Sequence, residues 1–239
     1  MRLLVTRPAD DAEAFGALLS KRGHVPVIAP VLEVHVLAGP ELPLGGVQAL
    51  LATSANGVRA FAARTQRRDL AIYAVGPQTA AAGRKAGFLR VVSADGDWAA
   101  LVETVARTAV PGNGVLLHAA GAETAGRVKE ALQARGFRVE TKILYEARPA
   151  TRLPAAAEEN LRNATLDGVL LFSPRSAATF ARLAGEAGLL EQCAPLAAYC
   201  ISAATAEALA PLRFARVSIA AAPNQDAILD LIPPLNPTS

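Results

Sequence analysis

Side chains for metal or redox chemistry are scarce in this chain, which has two cysteines and three histidines in 239 residues. Cys193 and Cys200 stand seven positions apart, where a loop runs into a buried strand, so a disulfide scaffold is not expected and no Cys-x-x-Cys pair exists. A reducing compartment, the cytoplasm, is the expected location. His24, His35 and His118 are scattered, with no Asp or Glu at ligand spacing, which argues against a metal site. Gly-x-Gly-x-x-Gly and the phosphate-loop pattern are absent, and Gly112-Asn113-Gly114 precedes a strand instead of following one. A nucleotide therefore lacks its usual cradle, and no cofactor is expected. The Gly-x-Ser-x-Gly nucleophile elbow is missing as well. No apolar run reaches membrane-spanning length, and Met1 to Pro8 reads as a strand running into Asp10-Asp11 instead of a signal peptide, so no membrane partner is expected. The 24 basic and 21 acidic residues nearly balance, at a net of +3, and form no cationic stripe. A nucleic-acid partner is not indicated.

What the chain does have is apolar content, 52% of residues, enough for sizeable cores. Short apolar runs alternate with amphipathic stretches: Leu3 to Thr6, a helix over about Asp11 to Arg22, then Val25 to Ala29. This βαβ rhythm predicts a parallel sheet. It continues with strands expected at Ala49 to Thr53, Ala71 to Val75, Val91 to Ser93, Val115 to His118, Val139 to Ile143, Val169 to Ser173, Ala197 to Ile201 and Val217 to Ala220. Runs that are apolar throughout, such as Val169-Leu170-Leu171-Phe172, suit a sheet covered by helices on both faces.

Two internal repeats refine the α/β reading. Leu3/Leu116, Leu4/Leu117, Leu19/Leu132, Arg22/Arg135, Gly23/Gly136 and Glu33/Glu146 match at a constant spacing of 113. Tyr73/Tyr199, Thr79/Thr205, Phe88/Phe214, Arg90/Arg216 and Val91/Val217 match at 126, with Ser54/Ser173 and Phe61/Phe180 just upstream at 119. The order is short, long, short, long, and neither unit alone has strands enough for a covered sheet. The short join around Val110-Pro111-Gly112-Asn113 keeps the middle two together, whereas Pro30 to Gly46 and Leu144 to Thr165 are long, with extended stretches at Leu32 to Leu37 and Lys142 to Arg148. The expectation is two flavodoxin-like or Rossmann-like parallel-sheet domains, an outer one of 1–36 with 149–239 and an inner one of 37–148. A two-segment extended hinge joins them, with an active-site cleft between. The tail Pro233-Pro234-Leu235-Asn236-Pro237 is expected to fray.

Ligands of open parallel sheets bind beyond the strands' carboxyl ends, where helix N-termini present free N–H groups. The turns there are Thr6-Arg7-Pro8, Thr53-Ser54-Ala55-Asn56-Gly57, Val75-Gly76-Pro77-Gln78-Thr79, His118-Ala119-Ala120-Gly121, Ser173-Pro174-Arg175-Ser176 and Ile201-Ser202-Ala203-Ala204-Thr205. Each alone reads first as an ordinary helix cap, and the set across both domains as donors for a large polyanion. His118 reads as a hydrogen-bonded structural residue or as one facing the cleft. Tyr145, in the second connection, reads as an amphipathic hinge residue or as a group overhanging the cleft.

The stretches Leu4-Val5-Thr6-Arg7-Pro8, Leu51 to Val58, Ala74 to Ala80, Leu144-Tyr145-Glu146, Val169 to Ser176 and Ile201 to Ala206 together resemble bacterial uroporphyrinogen-III synthases over nearly the whole chain. The resemblance implies two α/β lobes and a lyase of porphyrin and haem biosynthesis that acts without cofactor; a monomer is expected. Its substrate would be hydroxymethylbilane, four electron-rich pyrroles with acetate and propionate arms, closed to uroporphyrinogen III with inversion of ring D and loss of water. The substrate supplies the reactivity: its terminal hydroxyl leaves to give an azafulvene, attack at the substituted carbon of the last ring gives a spiro intermediate, and that intermediate fragments and recloses. The family's linker tyrosine implies Tyr145 as general acid. Substrate contacts are implied for Arg7, Ser54, Asn56, Gly76, Thr79, Gly121, Ser173, Arg175, Ser176, Ser202 and Thr205. Where family members often carry a basic residue, Ala120 precedes Gly121, and Ser202 stands where a glycine is usual. The rival readings are a non-catalytic two-lobed protein binding an anion or a tetrapyrrole, and a two-domain transferase using a nucleotide donor.

Overall fold

The computed structural model describes residues 1–123 and 127–235. Its elements begin with β1 (Arg2–Val5), α1 (Ala9–Lys21), β2 (Val25–Ile28), β3 (Leu32–Val36), β4 (Val47–Ala52), α2 (Ala55–Ala63), β5 (Ala71–Ala74) and α3 (Pro77–Lys85). There follow β6 (Arg90–Ser93), α4 (Trp98–Thr108), β7 (Val115–Gly121), α5 (Arg127–Gln133), β8 (Arg138–Pro149), α6 (Ala155–Arg162) and β9 (Gly168–Leu171). The last are α7 (Pro174–Glu186), α8 (Leu190–Cys193), β10 (Ala197–Cys200), α9 (Ala203–Glu207), β11 (Arg216–Ile219) and α10 (Gln225–Asp230). The chain divides into two compact units, Met1–Glu33 with Arg148–Ser239 and Val34–Ala147.

In the first unit the strands lie in the order β2-β1-β9-β10-β11, all parallel. Successive side chains of a strand leave on opposite faces, so Leu4 and Val169 enter a core with Ala157 of α6 and Phe180 of α7, while Leu3, Val5 and Leu170 enter another with Phe15 of α1 and Ile228 of α10. Both faces are covered, as the uniformly apolar strands lead one to expect. In the second unit the parallel order is β8-β7-β4-β5-β6, with β3 added beside β8. Leu50, Phe61 and Leu117 build its core under α2 and α3, and Leu51, Leu101 and Leu116 build the one under α4 and α5.

The two sheets share one spatial order and differ in where the chain starts. Strands β1 and β2 precede β9, β10 and β11 in the first unit, whereas their counterparts β7 and β8 follow β4, β5 and β6 in the second. The units are circular permutations of each other. The sequence repeats have a physical content here, because matched residues do matched work. Gly23 and Gly136 both adopt φ +84° just after a helix, where the following residue (His24, Phe137) donates its N–H to the carbonyl of Leu19 or Leu132. That left-handed conformation favours glycine. Phe61 and Phe180 are both fully buried.

Most strand limits shift by one or two residues, and two shift further. The strand starting at Val115 continues past His118 to Gly121, since Ala119 and Ala120, residues of weak strand preference, are buried and pair with Lys142 and Ile143. The stretches Val139 to Ile143 and Lys142 to Arg148 form one strand, β8. In the tail, the Leu235 N–H donates to the Arg22 carbonyl, while Asn236 and Pro237 lie outside the described residues. No helix among the described residues is long and apolar enough to cross a membrane.

Candidate functional site

Because the strands within each sheet are parallel, the turns that follow them gather at one edge of that sheet. In the first unit the turn after β9 is shaped by Ser173, which caps α7: its Oγ accepts the Ser176 N–H (3.1 Å). The Ser176 hydroxyl is buried and donates to the Ser173 carbonyl (2.9 Å). The turn after β10 repeats the pattern, Ser202 Oγ accepting the Thr205 N–H (3.3 Å) and pairing with the Thr205 hydroxyl (3.0 Å). Thr205 is fully buried. Ser176 and Thr205 therefore shape their turns from inside, while Ser173 and Ser202 remain half-buried at the edge. Arg175 is half-buried in the first turn of α7. Arg7 lies over the Phe172 ring (4.3 Å), pairs with Asp11 (3.5 Å) and donates to Gln225 Oε1 (3.0 Å), which ties the β1 turn to α10.

In the second unit Ser54 caps α2, its Oγ accepting the Gly57 N–H (3.1 Å). The same Oγ lies 2.8 Å from the Tyr145 hydroxyl of β8, and either atom can donate. Asn56 Oδ1 accepts from Arg59 (2.6 Å). Gly76 caps α3 without a side chain, and Thr79 is buried two residues further into that helix than Pro77. Gly121 is the last residue of β7, opposite Tyr145 in the pairing of β7 with β8. Among the described residues no three His, Cys, Asp or Glu side chains cluster as a metal site would require.

The charge around these helix starts is selective. A helix N-terminus carries partial positive charge and commonly draws Asp or Glu into its first turn. Helix α1 has Asp10 and Asp11 there, α6 has Glu158 and α10 has Asp226. The helices behind Ser54, Gly76, Ser173 and Ser202 have none and no acidic cap, so four N-termini without a first-turn acid stand at the sheet edges, two in each unit. Two further caps at these edges were not singled out from the sequence: Asn224, and Asp97, whose carboxylate accepts from Ala99 and Ala100. An Asp or Asn ahead of an apolar helical run is the signal that marks them. The acidic one is unsuited to an anion.

His118 is buried in β7 with Nε2 3.1 Å from Thr53 Oγ1. Burial holds its pKa below the ordinary 6.5, and His24, also buried, is lowered chiefly for the same reason. Each group binds its proton more readily unfolded than folded. The stability that depends on their neutral forms is complete above about pH 6.5 and is lost as pH falls below that value towards the depressed folded-state pKa. His118→Asn should therefore narrow the gap between unfolding free energies measured in urea at pH 5.5 and pH 7.5, with His24 keeping part of it. An unchanged gap would count against His118 as a source.

A family model described as Uroporphyrinogen-III synthase HemD matches residues 13–230. Among solved structures the chain is similar to a uroporphyrinogen III synthase of Thermus thermophilus, at 22% identity over 96% of each chain with a TM-score of 0.51. It is also similar to the uroporphyrinogen-III synthetase of Helicobacter pylori, at 18% identity over 97% of this chain and 98% of that one, with a TM-score of 0.61. A search of the curated proteins gives no match. At these identities the two structures speak to the fold, and the family model speaks to descent.

Proposed function

Since the chain belongs to the uroporphyrinogen-III synthase family, its reaction is the cyclisation of hydroxymethylbilane to uroporphyrinogen III, and we propose that Tyr145 and the strand-end turns carry it out. The observation that supports this assignment is the set of helix starts without a first-turn acid at Ser54, Gly76, Ser173 and Ser202. A substrate with acetate and propionate arms on every pyrrole needs many mild carboxylate donors, and backbone N–H groups and hydroxyls supply them without trapping the product. Asn56, Gly76, Ser173, Arg175 and Ser202 are assigned to these contacts, whereas the Ser54 hydroxyl, expected among them, meets Tyr145 instead. Ser176 and Thr205, buried and bonded to the serines of their turns, hold those turns in shape, and Thr79 is buried in α3. Arg7 fixes the first turn through its ties to Phe172, Asp11 and Gln225.

Left alone, the substrate closes head to tail into the symmetrical type I isomer, so the enzyme's contribution is geometric: hold the last ring for attack at its substituted carbon and keep water from the azafulvene. Tyr145 would speed departure of the hydroxyl as general acid. Supporting this is its hydroxyl's place 2.8 Å from Ser54 Oγ, at the start of a helix that carries no acid in its first turn. The proposal takes the protein to act as a monomer in the cytoplasm, which suits two free, buried thiols whose pKa burial pushes up to about 11. Light scattering on the purified chain tests the first of these, and fractionation of the cells the second.

The decisive experiment incubates the protein with freshly generated hydroxymethylbilane, oxidises the products and separates the isomers by chromatography. Type III should dominate. Formation of type I alone, at the rate seen without protein, would end the proposal and leave a binding protein in its place.

A further inference from the structure

We infer that Ser54 and Gly121 are positioning residues for Tyr145: a bulge in β8 turns the tyrosine ring onto Gly121, and Ser54 holds and then stabilises its oxygen. This rests on the assignment of Tyr145 as proton donor. The pairing of β7 with β8 runs one-to-one from Val115/Arg138 to Ala120/Ile143 and then jumps to Gly121/Tyr145, which leaves Leu144 as the extra residue. In a regular strand Leu144 and Tyr145 would point to opposite faces of the sheet. With the bulge, both pack against the core under α2 and α3. A bulge that re-aims one side chain is a recurrent device beside active sites.

The re-aimed ring needs room, and two glycines make it. A Cβ on Gly121 would stand 2.7 Å from Tyr145 Cζ and 2.9 Å from Cε2, so the ring occupies the space that any side chain at 121 would take. A Cβ on Gly57 would stand 2.5 Å from the Ala119 carbonyl oxygen, so only glycine lets the first turn of α2 come this close to β7. That approach brings the α2 cap, Ser54, over to the tyrosine. Comparison with the other unit sharpens the point. At the equivalent turn, Ser173 pairs with the hydroxyl of Ser176, three residues on, whereas three residues beyond Ser54 stands Gly57, and the hydroxyl that meets Ser54 is that of Tyr145.

Chemistry gives this pair a purpose beyond geometry. Tyr145 passes its proton to the terminal hydroxyl of the substrate, the C–O bond breaks, water leaves, and the pyrrole nitrogen lone pair forms the azafulvene in its cationic, N-protonated form. Negative charge remains on the tyrosine oxygen. Ser54 Oγ already accepts the Gly57 N–H and keeps its own proton, so it can rotate from accepting the Tyr145 O–H to donating to the phenolate over the same 2.8 Å. The proton lost when the last pyrrole regains aromaticity returns to Tyr145. The cycle then balances with loss of one water.

The test is a set of single and double variants assayed for kcat and KM, with isomers separated. Ser54→Ala should lower kcat about tenfold and leave KM within about twofold, since the interaction forms with the transition-state charge and not with the bound substrate. Ser54→Thr, which keeps the hydroxyl, should restore most of the loss. Gly121→Ala should lower kcat by about a hundredfold through displacement of the ring. In the Tyr145→Phe background neither Ser54→Ala nor Gly121→Ala should cost much more, because the oxygen they serve is gone. Losses that multiply with Tyr145→Phe would overturn the inference, as would Ser54→Ala with unchanged kcat in a protein that Tyr145→Phe slows. Should Gly121→Ala fail to fold, the Ser54 series decides alone. An unchanged kcat for Tyr145→Phe itself would remove the acid assignment, and this inference with it.

Discussion

Tyr145→Phe should lower kcat by about a hundredfold while the protein stays folded, because a positioned general acid contributes roughly that much or more. Phenylalanine keeps the ring that packs over Gly121 and against the core under α2 and α3, and it loses only the oxygen 2.8 Å from Ser54. The product ratio should respond as well. Spontaneous head-to-tail closure of hydroxymethylbilane runs as a clock beside the enzyme, so a slower enzyme surrenders more substrate to the type I isomer. Rate and isomer share thus report one defect by separate routes. A turnover equal to that of the parent protein, with the type III share preserved, would remove Tyr145 from the reaction.

The parts of this protein that were legible beforehand are those with a period or a repeat. Uniformly apolar runs such as Val169 to Phe172 announced covered parallel sheets, because a strand buried on both faces has no polar alternation to show. Gly23 and Gly136 were legible as a pair because one backbone conformation, φ +84°, demands one residue at both turns. The bulge in β8 had no such mark. It depends on Ala119-Ala120-Gly121, which reads as a loop by composition and becomes a strand only because β8 and helix α2 close over it. Hydroxyl roles were hidden for a related reason. Ser54, Ser173 and Ser202 all cap helices, but what each hydroxyl meets depends on the residue three places on, Gly57, Ser176 or Thr205, and for Gly57 on a tyrosine 91 positions from the serine. Sequence motifs fix the turns, and tertiary approach fixes what the turns present.

Loss of one repeated phenylalanine should unfold one unit ahead of the other. Phe61 and Phe180 occupy matched places on α2 and α7, are both fully buried, and belong to cores in different units. Truncation of either to alanine removes a ring from a close-packed interior and leaves a cavity, at a cost of about 3–5 kcal/mol. That is a large share of what holds a domain of this size together. Since each unit has its own sheet and cores, the loss should stay with the unit that suffers it. The chain's single tryptophan, Trp98, lies in the second unit and reads that unit alone, whereas far-UV circular dichroism reads both. In urea, Phe180→Ala should therefore split the dichroism transition in two, with Trp98 fluorescence changing only in the later step. Phe61→Ala should move the fluorescence transition to lower urea and leave a dichroism step behind it. Coincident transitions by both probes in both variants would mean that the cores stand or fall together, against a pair of permuted units each stable through its own interior.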